Sequence, residues 1–154
     1  LSSSATHLGI GVVLGDDISG RRELLVTQVF LRVPPPIEPA AAAAQVLAAA
    51  RTVRPLAERP ELDGPAQELA SAIARGVPRE TAWAQAKRRV DGFVSRYRQI
   101  GTVIMAVGDL ATVSGESLLG SYTPDEVGVG VAQGPHPDLG DQAIWIVLLL
   151  GDLR

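Results

Sequence analysis

The sequence contains no cysteine. That excludes disulfides, a thiolate-ligated zinc and a thiol nucleophile, and it says little about compartment, since exported bacterial proteins often lack cysteine. Basic charge is also short. Fourteen Lys and Arg stand against 17 Asp and Glu, a formal net charge of −3, and the only lysine is Lys87. General nucleic-acid binders carry a strong basic excess, so nucleic acid is not an expected partner. Long apolar runs are missing too. The longest, residues 143–150, is far short of the roughly 20 residues of a spanning helix, so the expectation is a soluble chain without a membrane span. Leu1-Ser2-Ser3-Ser4 has neither the basic head nor the apolar run of a signal peptide. A chain that starts on leucine, almost directly at a strand, reads as a piece of something longer. Its 154 residues, 46% of them hydrophobic, suit one domain with a real core.

What is present is a stretch that occurs twice. His7-Leu8-Gly9-Ile10-Gly11-Val12-Val13, a polar loop and residues 23–30 are matched late in the chain by Val127-Gly128-Val129-Gly130-Val131, a polar loop and residues 143–150. Each copy is a glycine-punctuated strand, a turn region and a longer apolar strand, which predicts a β-hairpin. Glycines two apart lie on one strand face and mark close approach by a neighbour. In residues 23–31 both faces are mainly apolar, which predicts cover on both sides. The first loop carries the turn formers Gly15, Asp16, Asp17 and Gly20.

Between the copies the pattern is helical. Pro34-Pro35-Pro36 makes a stiff connector, and Glu38-Pro39 opens an alanine-rich helix over about 40–54, with a stripe at Val46, Ala50, Val53 and Ala57. Asp63 is the expected N-cap of a second helix, carrying Leu69 and Ile73 and ended by Gly76. A third, from Pro78 to about Arg98, has its stripe at Ala82, Ala86, Val90, Phe93 and Tyr97. Residues 102–107 predict a strand, and Ser114 the cap of a short helix through Leu119. The order β-β-α-α-α-β-α-β-β gives a mixed α/β (α+β) layer structure with antiparallel pairing. It divides into a hairpin at 1–33, a connector at 34–37 and a helical and strand segment at 38–154.

Thr6-His7-Leu8-Gly9-Ile10-Gly11-Val12, followed by Val26-Thr27-Gln28-Val29-Phe30, resembles the end of a bacterial CAP (SCP-like) domain, the cysteine-rich secretory protein/antigen 5/PR-1 fold. There a "VGVGVA" strand precedes a "YVTQVF" or "HYTQVVW" strand. Val53-Arg54-Pro55-Leu56, Pro60-Glu61-Leu62 and Ala66-Gln67-Glu68-Leu69-Ala70 are similar to that family's "RxxxGLPPLxxDPxLxxxAxxHA" opening, and Tyr97-Arg98-Gln99-Ile100-Gly101-Thr102 sits where it has "GEN". The resemblance implies an α-β-α sandwich. Its central, mainly antiparallel sheet would combine two related β-hairpins and one strand, packed by three to four helices within one CAP-like domain. It also implies a secreted or cell-envelope location in a bacterium. The family's cavity uses two His and two Glu, and that set is not retained. The "HYTQ" histidine falls at Leu25, the "GEN" glutamate at Thr102, and the helical histidine near Ala72 or Ala70. The second-copy counterpart of His7 is Glu126.

Other residues admit two accounts each. His136, Asp138 and Asp141 could offer a histidine and carboxylates to a metal, joined by His7 if the hairpins lie side by side. The simpler account is a solvated hairpin turn. Ser114-Gly115-Glu116-Ser117 lacks the G-x-S-x-G nucleophile elbow and reads as a cap, while the Gly-x-Gly pairs run into strands, unlike a dinucleotide loop. Lys87, Arg88, Arg89, Arg96 and Arg98 are either a solvated face or an anion site. Trp83 and Trp145 read as packing residues.

The expected function is a non-enzymatic binding or assembly module with no cofactor, taking a small molecule, lipid, glycan or protein partner, with homodimerisation open. The resemblance places Thr27, Gln28, Thr102 and Trp145 nearest a binding groove between helices and hairpin sheet. The rival readings are a metal-dependent hydrolase using His136, Asp138 and Asp141, and homo-oligomerisation by strand exchange.

Overall fold

Both repeated stretches form antiparallel hairpins. The computed structural model describes residues 5–16, 19–31 and 35–154; Asp17 of the first loop, Arg32 and Val33 beyond the first hairpin, and Pro34 of the connector lie outside them. The chain divides into two compact units, residues 1–35 and 36–154.

In the first unit, β1 (His7–Asp16) pairs with β2 (Arg22–Leu31) in unbroken register from His7 opposite Leu31 to Asp16 opposite Arg22. The pair is a two-stranded sheet of its own. Apolar side chains on both faces stay open: Leu14 is 72% exposed, and Phe30, the least exposed of the large ones, still 41%. Among the described residues, the cover expected for residues 23–31 is therefore not present. The alternation that predicts it records what the strand is built to meet, whatever supplies it.

The second unit runs α1 (Pro39–Arg51), β3 (Ala57–Glu58), α2 (Pro60–Ala74), α3 (Arg79–Val90), β4 (Tyr97–Val107), α4 (Gly115–Leu119), β5 (Glu126–His136) and β6 (Gly140–Leu153). Its sheet order is β3-β5-β6-β4, with β3 parallel to β5 and the other pairs antiparallel. The expected sheet of two hairpins plus a strand thus contains only the second hairpin. Period-two alternation sorts its side chains into two layers. Val127, Val129, Val131, Ile144, Ile146, Leu148 and Leu150 pack with α1 and α4, while Ala132, Trp145, Val147 and Leu149 pack with α2 and α3. Helices cover both faces, giving a mixed α/β sandwich whose core centres on β6.

Local chemistry explains most boundaries. The Glu38 carboxylate accepts from the Ala40 and Ala41 N–H groups just past Pro39, and α1 ends at Arg51 with Thr52 as its cap, so Val53 is exposed and Ala57 belongs to β3 rather than to a helical stripe. Gly76 takes the left-handed φ of +83° that closes α2. The Ser114 hydroxyl and Ser117 form the reciprocal capping box of α4. Two further expectations change. Helix α3 stops at Val90, with Phe93 and Tyr97 reaching the same core from outside the helix. Helix α2 begins at Pro60, which leaves Asp63 inside it.

Candidate functional site

Strand β5 carries Gly128, Gly130 and Gly134 on the face toward α2. A Cβ at these positions would overlap the backbone of Leu62, Ala66 and Ala74 respectively, residues along one side of the helix. Here glycine is required for space, because the helix backbone lies directly on the strand. The close approach lets α2 finish the sheet. Asp63 Oδ1 accepts the Val129 N–H at 2.9 Å, Gln67 Oε1 accepts the Val131 N–H at 3.0 Å, and Gln67 Nε2 donates to the Val131 carbonyl at 2.9 Å. Beyond the two-residue β3, side chains one helical turn apart take the place of a neighbouring strand. Burial pushes the Asp63 carboxyl above its ordinary pKa, and the Val129 N–H offsets only part of that.

At the start of β5 stands the one buried charge among the described residues, Glu126, 3% exposed. Its Oε1 accepts from Arg59 Nε and Arg96 Nη2, both at 2.8 Å, and its Oε2 from the Tyr97 hydroxyl at 2.8 Å. Burial alone would raise its pKa, but the bonds from Arg59 and Tyr97 and the two guanidinium charges hold it below the ordinary range. Desolvation, followed by the bond to Glu126, pushes Tyr97 up to about 12. With both carboxylate oxygens engaged, the cluster ties α2, β4 and β5 together and presents no free acid or base.

Between α1 and α2 runs a groove of about 680 Å3, walled by Ala40, Ala43, Ala44 and Leu47, with Gly64 and Val129 opposite. Of its polar lining, Asp63 and Gln67 are already bonded to β5, Glu38 caps α1, and Arg51 pairs with Glu58.

From His7 to Gly15 the first hairpin repeats the register of β5–β6, which shifts only past Gly134. Gly9, Gly11 and Gly15 stand where Gly128, Gly130 and Gly134 do, and their partners Val29, Thr27 and Glu23 match Leu149, Val147 and Ala143. Even the bond beyond the ladder is shared: the Thr6 N–H donates to the Leu31 carbonyl as the Asp125 N–H does to that of Gly151, both at 2.9 Å. Yet a Cβ on Gly11 or Gly15 would meet nothing within 4 Å, and on Gly9 only Val29 of the same hairpin. The hairpin thus carries the glycine spacing of β5 with its apolar side chains exposed, which makes it the candidate site.

The residues expected at a groove are divided between the two units. Thr27 and Gln28 are exposed on β2, at the positions of the fully buried Val147 and Leu148. Thr102, partly buried on β4, lies opposite Leu149. Trp145, 8% exposed, lies opposite Ala106 and Ala132, two ladder steps along the same face; its indole N–H donates to the Pro135 carbonyl at 3.3 Å. None of the four lines the α1–α2 groove. His136 accepts the Asp138 N–H on Nδ1 at 3.1 Å and packs on Trp145 at 5.2 Å. Among the described residues no three His, Asp or Glu are grouped to hold a metal, so His136, Asp138 and Asp141 do not assemble into a site, and His7 belongs to the other unit. Of the basic cluster, Lys87 pairs with Asp91, Arg89 with Glu68, Arg96 with Glu126 and Arg98 with Asp152.

Sequence reasoning missed the roles of Asp63, Gln67 and Glu126. A charged residue opening an otherwise apolar, glycine-rich strand, and an acid and an amide four apart on a helix, were the available signals. Compared with known proteins, the chain matches no family model, no curated sequence and no solved structure.

Proposed function

We propose that the chain is a non-enzymatic binding or assembly module of CAP-like type, from an exported bacterial protein, and that its N-terminal hairpin is the binding element. The observation that carries this reading is the open apolar hairpin in the register of a sealed one. A two-stranded hairpin is marginal in water by itself, and contiguous apolar surface of this kind marks an interaction site. The CAP-like assignment rests on the glycine-punctuated strand and the Val26-Thr27-Gln28-Val29-Phe30 strand. In the groove, Asp63 and Gln67 are committed to β5, so the hairpin is the better candidate.

The test uses the whole chain and a Val12→Glu/Val26→Glu variant, which places charge on the hairpin alone. The expected result is that the parent binds a hydrophobic dye or self-associates, and that the variant does neither. Near-ultraviolet dichroism of Trp83 and Trp145, both in the second unit, should be the same in the two. A parent that neither binds dye nor self-associates removes the hairpin as a binding element.

A further inference from the structure

We infer that the occupant of the β1 glycine face is a helix of the α2 kind, supplied by a partner segment. It would carry small residues along its contact stripe and a carboxylate and a carboxamide four residues apart. This rests on the binding role proposed above and specifies the partner. Three glycines in the spacing of Gly9, Gly11 and Gly15 are a poor surface for another sheet, whose side chains would leave voids over them. In the same spacing Gly128, Gly130 and Gly134 admit helix backbone. The amides of Ile10 and Val12 stand where those of Val129 and Val131 receive Asp63 and Gln67, so the seat includes two donors as well as an apolar track. A second copy of this chain has no such helix to lend, because its α2 already lies on its own β5.

The hairpin also records where this partner differs from α2 and its neighbours. His7 replaces Glu126, so the partner does not bring a pair of guanidiniums like Arg59 and Arg96 to that corner. Gln28 replaces the buried Leu148 on the opposite face, so the layer over that face offers a polar group to its amide. Thr27, in place of Val147, puts a hydroxyl on the glycine face itself.

The probe is the chain's own helical segment, attached in the order that the second unit uses. Since His7 takes the place of Glu126, residue 1 takes that of residue 120. Residues 36–119 joined ahead of Leu1 of the full chain therefore restore that connectivity. A second fused chain carries His7→Glu in addition, so that the appended Arg59 and Arg96 meet a carboxylate. The readouts are hydrogen exchange at the Ile10 and Val12 amides and solution mass. We expect the fused His7→Glu chain to be a monomer in which both amides exchange about 100-fold more slowly than in the parent. The chain without His7→Glu should be protected less. Gly11→Leu should abolish the protection in the fused chain. Fused chains with both amides still open would overturn the helix occupant. Protection of the same amides in the parent, rising with concentration as a dimer forms, would keep the binding role and replace the helix with a second copy. Open amides throughout, in a monomer that binds no dye, would remove the binding role as well.

Discussion

The β5–β6 and β1–β2 hairpins share register, glycine spacing and the off-ladder bond at their open ends, but the first is packed on both faces and the second is exposed on both. The difference shows what the glycines are for. None of Gly9, Gly11, Gly128 or Gly130 has a positive φ, so backbone freedom is not the reason for them. They set how near another backbone can come, and that property is visible only where the neighbour is present. Apolar alternation behaves the same way: it specifies what a strand needs and does not show who provides it.

Bulk added at equivalent positions should separate the two hairpins most strongly. Gly130→Leu drives a side chain into the Ala66 backbone and should cost on the order of 3 kcal/mol or more. Gly11→Leu meets open space and should stay within about 0.5 kcal/mol. Denaturant unfolding followed by tryptophan fluorescence measures the first, and dichroism of the full chain checks the second. Equal costs would mean that the hairpins are not in different environments.

The charged corner gives the next contrast. Glu126→Ala leaves two guanidiniums and a buried phenol without their acceptor, and should cost about 3 kcal/mol, the low end for a broken buried pair because both arginines reach water. His7→Ala, at the same register position in an open hairpin, should cost almost nothing. Smaller still is the helix-made edge. Asp63→Ala strands the Val129 N–H and should cost about 1–2 kcal/mol. Asp63→Asn keeps an acceptor, loses a charge that burial opposes, and should cost less.

The last contrast is in pH. Tyr97 has its folded pKa raised to about 12. Its contribution is complete below the unfolded value of about 10 and is lost as pH rises from there through 12. For Glu126, whose folded pKa is depressed, the contribution is present above the unfolded carboxylate value and is lost as pH falls through the folded one. Tyr97→Phe should flatten the alkaline limb of a stability–pH curve and leave most of the acid limb. An unchanged alkaline limb would show that Tyr97 is not the group responsible.

How much was legible follows the range of each signal. The hairpins, the Ser114 cap, the Gly76 terminus and the α/β class come from contacts within a few residues, and sequence spacing reports those. The end of α3 was not readable, because Phe93 and Tyr97 continue a helical stripe and also reach the same core after the chain has left the helix past Gly92. Asp63 has the chemistry of a cap, and only the fold shows that its acceptor serves a strand 66 residues away. The two residues of β3 have no periodicity to detect. The groove between α1 and α2 was not readable, because the alanines that wall it carry no chemical mark in a sequence rich in them.

Asp63 and Gln67 have a consequence for growth of the sheet. With β3 at one end of β5 and these two side chains along it, that margin, from Glu126 to Val131, offers no ladder to an incoming strand, whereas β4 ends the other side without a strand neighbour among the described residues. A sheet that can be extended on one side only can join one other such sheet, β4 against β4, and then has no margin left. Misassembly of the second unit by strand addition would therefore stop at pairs, and a fibre built from these sheets would first require α2 to leave β5.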